Sequence, residues 1–134
     1  MTGPRQLTGR CECGRVHYRV ADAFRYALNC HCSRCRAGTG SAFKPLAGIE
    51  REHLEVTDGL DALMVYGTDD LNDTRCANCG SLLFSVVRDG RYVHVAMGSL
   101  VDPPSIRPTE HIYVGSKAPW FEITDDLPQH QELD

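Results

Sequence analysis

The chain has 134 residues, with 42% apolar and 24% charged side chains, a mix that fits one globular domain and excludes a wholly disordered chain. No apolar run approaches the roughly 18 residues of a membrane span, and Met1–Val20 has no apolar stretch of the kind a cleaved secretory signal requires. The net charge of −4 hides an asymmetry: residues 1–44 carry eight Lys and Arg against two acids, and residues 45–134 carry six against sixteen.

In chain order, Arg15–Val20 alternates cleanly, with Val16, Tyr18 and Val20 on one face and Arg15, His17 and Arg19 on the other. A single turn of helix is expected at Ser33–Arg36. Ala62–Tyr66 reads as a short strand. Leu82–Val87 and Tyr92–Met97 are apolar, β-branched runs separated by Asp89-Gly90, a strong hairpin signal. Asp102-Pro103-Pro104 and Arg107-Pro108 mark loops. His111–Val114 and Trp120–Ile123 complete the predicted strands. No segment keeps a 3.6-residue period over three turns. The expectation is a single all-β domain over residues 1–134, with many short strands, short 3-10 turns and a small core stapled by metal.

Seven cysteines stand out: Cys11, Cys13, Cys30, Cys32, Cys35, Cys76 and Cys79. The odd number, with nothing pointing to an oxidising compartment, makes a disulfide framework the poorer reading, and a cytoplasmic location is the expectation. Cys11-Glu12-Cys13-Gly14 and Cys76-Ala77-Asn78-Cys79-Gly80 each offer two thiolates from a tight turn. The glycine after each pair permits the positive φ such a turn needs. Neither pair satisfies zinc alone; together they make a closed Cys₄ site of the structural kind. Cys30-His31-Cys32-Ser33-Arg34-Cys35 supplies three more thiolates and leaves one position open, the pattern of a catalytic zinc. His31 is a poor fourth ligand, since neighbours in an extended chain face opposite ways. Iron–sulfur runs need other spacings. Three thiolates weaken the metal as a Lewis acid but suit a soft sulfur ligand, which points to chemistry on a bound thiol.

These pieces, taken together, resemble the glutathione-dependent formaldehyde-activating family. The resemblance rests on Gly9-Arg10-Cys11-Glu12-Cys13-Gly14-Arg15-Val16 with Tyr18, and on Cys30-His31-Cys32-Ser33-Arg34-Cys35-Arg36 with Gly40. It continues through Arg75-Cys76-Ala77-Asn78-Cys79-Gly80-Ser81-Leu82, Gly98-Ser99-Leu100-Val101-Asp102, His111-Ile112, Lys117, Trp120 and Leu127-Pro128. It implies a β-rich, Mss4-like fold with two zinc ions. One would be a structural zinc on Cys11, Cys13, Cys76 and Cys79, and the other a catalytic zinc on Cys30, Cys32 and Cys35. The implied activity is that of a carbon–sulfur lyase joining glutathione and formaldehyde into S-hydroxymethylglutathione. Neither nucleic acid nor membrane is an expected partner. The alternative is a zinc-stapled binding or chaperone-like module without turnover.

Further candidates for substrate binding are Arg34 and Arg36 beside the three-cysteine group, His111, Lys117 and Trp120. Arg34 and Arg36 could offset thiolate charge or hold an anionic ligand. His111 reads equally as a functional or a hydrogen-bonded structural histidine. Lys117 is either a carboxylate partner or a solvated loop lysine. Trp120, with Phe121, is expected in the core or along the rim of the site, with the core favoured.

Overall fold

The computed structural model describes residues 3–133. Its strands are β1 (Gln6–Arg10), β2 (His17–Ala21), β3 (Tyr26–Cys30), β4 (Lys44–Glu50), β5 (Leu54–Asp58), β6 (Leu63–Gly67), β7 (Asn72–Cys76), β8 (Leu82–Val87), β9 (Tyr92–Ala96) and β10 (His111–Ile112). A single α-helix, α1 (Ser33–Thr39), stands among the described residues. Four short 3-10 turns complete the regular structure. The expected all-β class is what forms.

Two sheets result. A three-stranded sheet runs β1-β2-β5, and a seven-stranded sheet runs β10-β3-β4-β9-β8-β7-β6. The alternation read in the sequence is real: Val16, Tyr18 and Val20 are buried while Arg15 and Arg19 are exposed. On the large sheet, Ile49 pairs with Val93, and Phe84 pairs with Val95. Directly paired residues share a face, so these side chains form one apolar surface. They pack against Leu7, Tyr18 and Val20 of the small sheet in the main core. Tyr18 meets Phe84 edge-on, ring centroids 6.3 Å apart. The opposite face of the large sheet carries a second, smaller cluster of Cys30, Leu46 and Ile112, with Cys32 and Cys35 packed against it. The two cores thus occupy opposite faces of one sheet.

Two glycines are required by close approach and not by backbone angle. Gly9 is the register partner of Tyr18, and Gly48 that of Tyr26. A Cβ on Gly9 would lie 2.1 Å from the Tyr18 ring, and one on Gly48 would lie 2.3 Å from the Tyr26 ring. Each tyrosine covers the gap its glycine leaves, a cross-strand device that stabilises glycine within a sheet.

The structure corrects several sequence expectations. Trp120–Ile123 is not a strand. Its backbone is engaged locally, with Phe121 N–H donating to the Ala118 carbonyl at 3.2 Å. Lys117 Nζ also caps the Ala118 and Phe121 carbonyls. The strand expected at His111–Val114 stops at Ile112, because Tyr113 turns to a φ of 57° and a 3-10 turn follows at Val114–Ser116. Strands β1, β3, β4, β5 and β7 were not expected. Their inward positions are partly polar or small, as with Asn72 and Thr74 in β7, and a hydrophobic alternation test does not register them. The Asp89-Gly90 hairpin does form between β8 and β9, with positive φ at Arg88, Asp89 and Gly90.

The loop between β9 and β10 is tied down by Asp22, whose side chain is largely covered. It accepts from the Ser105 backbone N–H at 3.0 Å, from Ser105 Oγ at 2.6 Å and from Arg5 at 3.1 Å. Burial acts to raise its pKa, but these bonds outweigh it and hold the carboxyl below its ordinary value. Asp22→Ala is expected to cost about 1–3 kcal/mol, by leaving those donors unpaired. A depressed folded-state pKa stabilises the fold above the unfolded value of about 3.9 and loses that contribution as pH falls through the folded value. Denaturant midpoints of wild type and variant should therefore converge at acid pH. Gly9→Ala, overpacking against Tyr18, should cost about 1–3 kcal/mol at any pH, measured by the same unfolding curves.

Candidate functional site

The turn joining β1 to β2 carries Cys11 and Cys13, and the turn joining β7 to β8 carries Cys79, with Cys76 the last residue of β7. Each turn closes through the N–H of the glycine that follows its second cysteine. Gly14 N–H donates to the Cys11 carbonyl at 3.1 Å, and Gly80 N–H donates to the Cys76 carbonyl at 2.8 Å. Gly14 and Gly80 take φ of 79° and 82°, as the sequence spacing requires. The turns meet tip to tip, where Glu12 N–H donates to Ser81 Oγ at 3.0 Å. All four sulfurs lie within 4.8 Å of one another. Cys11 and Cys13 sulfurs are 3.6 Å apart, and those of Cys13 and Cys76 are 3.8 Å apart. These separations are far too long for S–S bonds. They suit a tetrahedral ion, since a zinc–sulfur bond of about 2.3 Å places its ligands about 3.8 Å apart.

Backbone and side-chain N–H groups point at these sulfurs. Val16 N–H reaches Cys11 Sγ at 3.2 Å, Asn78 N–H reaches Cys76 Sγ at 3.4 Å, and Asn78 Nδ2 reaches Cys13 Sγ at 3.3 Å. Hydrogen bonding to Ser81 brings the Cys79 thiol down to about 5. Cys11 and Cys76 are buried members of the main core, so the tetrad is built into the interface between the sheets.

The second group lies on the other face of the large sheet. Cys30 ends β3, Cys32 caps the N-terminus of α1 with its sulfur accepting from Cys35 N–H at 3.2 Å, and Cys35 sits within the helix. The three sulfurs also lie within 4.8 Å of one another, and among the described residues no histidine, carboxylate or further cysteine joins them. The bond with Cys35 brings the Cys30 thiol down to about 6, and the Lys44 ammonium adds to that effect. The proton is correspondingly held on Cys35, whose thiol is pushed up by its bond with Cys30. Both groups can hold a metal ion, and both fit zinc.

His31 turns away from its two cysteine neighbours, as expected. It is fully buried beside Phe43, ring centroids 5.0 Å apart. Its Nε2 lies 2.8 Å from Nδ1 of His111, and Nε2 of His111 lies 3.0 Å from Asp125. Burial and the neighbouring His111 bring His31 down to about 4. His111 is thus held inside a buried hydrogen-bonded chain. Arg36 Nε donates to the Ser116 carbonyl at 3.1 Å and ties α1 to the segment before Lys117. Arg34 is exposed on α1. Lys117 is occupied by backbone carbonyls. Trp120 corrects the core expectation: it is 70% exposed, and Phe121 alone turns inward, toward Phe43 and His31.

Sequence reasoning missed Lys44, which pairs directly with Cys30 across β3 and β4 and is 6% exposed. A buried lysine next to a cysteine cluster was legible only as one basic residue among eight, because nothing local marks it as buried.

The sequence pattern of a family described as "Glutathione-dependent formaldehyde-activating enzyme" matches residues 6–116. Among solved structures, a crystal structure of a Rhodobacter sphaeroides protein is 27% identical, with a TM-score of 0.60. The match covers 73% of this chain and 91% of that one.

Removing the two kinds of thiol should have different consequences. A structural zinc can contribute about 10–16 kcal/mol, against a whole-domain stability of about 5–15 kcal/mol. Cys11→Ser and Cys79→Ser are expected to give largely unfolded protein, while Cys32→Ser loses metal but keeps most of its far-UV circular dichroism. Equal loss of structure in all three variants would contradict the division between the clusters.

Proposed function

The chain belongs to the glutathione-dependent formaldehyde-activating enzyme family, and from that premise we propose that it is a zinc-dependent carbon–sulfur lyase joining glutathione to formaldehyde. The reading takes residues 1–134 as one domain that binds two zinc ions and works in the cytoplasm, where thiols stay reduced. The tetrad of Cys11, Cys13, Cys76 and Cys79 would hold the structural ion, and Cys30, Cys32 and Cys35 the catalytic one. The observation that carries the reading is the incompleteness of the second group: three sulfurs converge, and no fourth protein ligand among the described residues accompanies them.

Zinc on those three sulfurs would supply a soft acceptor that favours the thiolate form of an incoming thiol. The protein's own part is to fix the geometry. The β3–β4 ladder fixes Cys30, and the first turn of α1 fixes Cys32 and Cys35 through the Cys35 N–H to Cys32 Sγ bond. Arg36 ties the helix to the Ser116 carbonyl, Arg34 stands exposed on the same helix, and the Lys44 ammonium is the positive charge that acts on Cys30. In the net reaction, the glutathione sulfur forms a bond to the formaldehyde carbon, the C=O π bond becomes a C–O⁻, and the S–H proton ends on that oxygen. Holding the sulfur in place lowers the ordering needed for attack.

Because the adduct also forms without protein, the test is the initial rate of hydroxymethyl-thiol formation, measured by exchange NMR with and without zinc-loaded protein. Acceleration is expected, together with two zinc ions per chain by elemental analysis. Cys35→Ser should abolish the acceleration while the tetrad zinc remains. No acceleration, with no thiol binding by calorimetry, would leave the reading as a zinc-stapled binding module.

A further inference from the structure

A cavity of about 400 Å³ lies between the C-terminal end of α1, the Cys79–Leu82 turn and the 3-10 turn at Met97–Ser99. That size is within the range of small-molecule sites. Two cations line it, Lys44 and Arg75, and no aspartate or glutamate does. Arg75 is spent on backbone carbonyls, donating to those of Gly80 and Gly38, which fixes the helix end to the turn.

Lys44 is different. Its side chain is almost fully buried, and among the described residues Nζ makes one hydrogen bond, to Ser85 Oγ at 2.8 Å. Ser85 in turn donates to Asp73 at 2.6 Å, so the nearest acid is one residue removed and forms no direct ion pair with the ammonium. An ammonium carries three donors. A buried charge is costly unless paired and hydrogen-bonded. Lys44 therefore stands on the cavity wall with unused hydrogen-bonding capacity and no carboxylate in direct contact with its ammonium.

Its position relative to the three-cysteine group is fixed by register. Cys30 and Lys44 are direct partners in the antiparallel β3–β4 ladder, so their side chains share a face and start about 5 Å apart. The helix that supplies Cys35 also supplies the cavity residues Gly38 and Thr39. The cavity and the sulfur trio therefore adjoin, with Lys44 and α1 as common walls.

We propose that this cavity takes a carboxylate of the thiol ligand, with the Lys44 ammonium as its anchor, while the ligand's sulfur reaches Cys30, Cys32 and Cys35. The inference rests on the thiol reading of that trio and adds the residue that selects the ligand: Lys44, which favours an anionic thiol over a neutral one. A carboxylate supplies acceptor oxygens for the ammonium donors that Ser85 leaves free, in a charge-assisted hydrogen bond. Arg34 and Arg36 remain outside this contact.

The test is calorimetric binding of three probes to zinc-loaded protein. Glutathione has the thiol and both carboxylates, S-methylglutathione keeps the carboxylates but has no ionisable thiol, and glutathione diethyl ester keeps the thiol with its carboxylates capped. Wild type should bind the diester about tenfold or more weakly than glutathione, the size expected for one charged hydrogen bond. Lys44→Met should weaken glutathione and S-methylglutathione by a similar factor and leave the diester unchanged, whereas Lys44→Arg should retain the preference for the acid. Equal binding of glutathione and its diester by wild type overturns the proposal, as does a Lys44→Met protein that still prefers the acid. The wild-type comparison decides even if Lys44→Met does not fold. Should S-methylglutathione bind as tightly as glutathione and depend on Lys44, the anchor stands and the thiol reading falls. Should the diester match glutathione while S-methylglutathione fails to bind, the thiol reading stands and the anchor falls.

Discussion

The convergence of four sulfurs at the meeting of two hairpin tips is the contact on which the rest of the molecule depends. The small sheet has three strands of five residues each, too little to bury an apolar face unaided. It is held over the large sheet at one end by Cys11 and Cys13 facing Cys76 and Cys79. Beneath that end run Leu7, Tyr18 and Val20 against Phe84, Val93 and Val95. Fixing the tips sets the register of both hairpins, and with it the alternation that sends apolar residues into the core. The bond from Glu12 N–H to Ser81 Oγ joins the same two turns without sulfur, so the arrangement has a hydrogen-bonded tie of its own.

Closing one face of the large sheet in this way leaves the other to carry the second group of sulfurs. The trio of Cys30, Cys32 and Cys35 sits at the end of β3, where the chain passes from strand to a seven-residue helix. Such a junction brings three sulfurs together from six consecutive residues, because the extended segment and the first helical turn present them from different directions. Strand alternation sends His31 to the opposite face, where His111, Phe43 and Phe121 enclose it. The separation explains why a histidine lying between two cysteines is not their companion in space. It also explains how His111 belongs to a buried chain ending at Asp125 and not to the trio.

The electrostatics follow the same division. The tetrad is satisfied by backbone N–H groups and the amide of Asn78. The trio has a lysine directly across the ladder, whose charge helps to hold Cys30 in its thiolate form. One cluster gathers four sulfurs and the other three, although both are made of the same side chain.

The sequence by itself determined the class of fold, the partition of seven cysteines into four and three, and the two glycine-closed turns. These depend on short-range chemistry: ligand spacing, the positive φ that only glycine takes freely, and two-residue alternation in Arg15–Val20. It also carried the hairpin at Asp89-Gly90 and the turn of His31 away from its two cysteine neighbours. Tertiary structure alone decided the rest. Strands such as β7 are recruited by their neighbours, with Asn72 and Thr74 facing inward where partners satisfy them, so their own hydrophobicity does not announce them. Trp120, a residue type usually covered, is left in solvent because its segment spends its backbone groups on a local turn. Lys44 becomes a buried cation beside Cys30 only because β4 returns antiparallel to β3 in one particular register. Thirteen residues lie between the two in the chain, and the hydrogen-bonded ladder that brings them together is a long-range choice that no local pattern encodes.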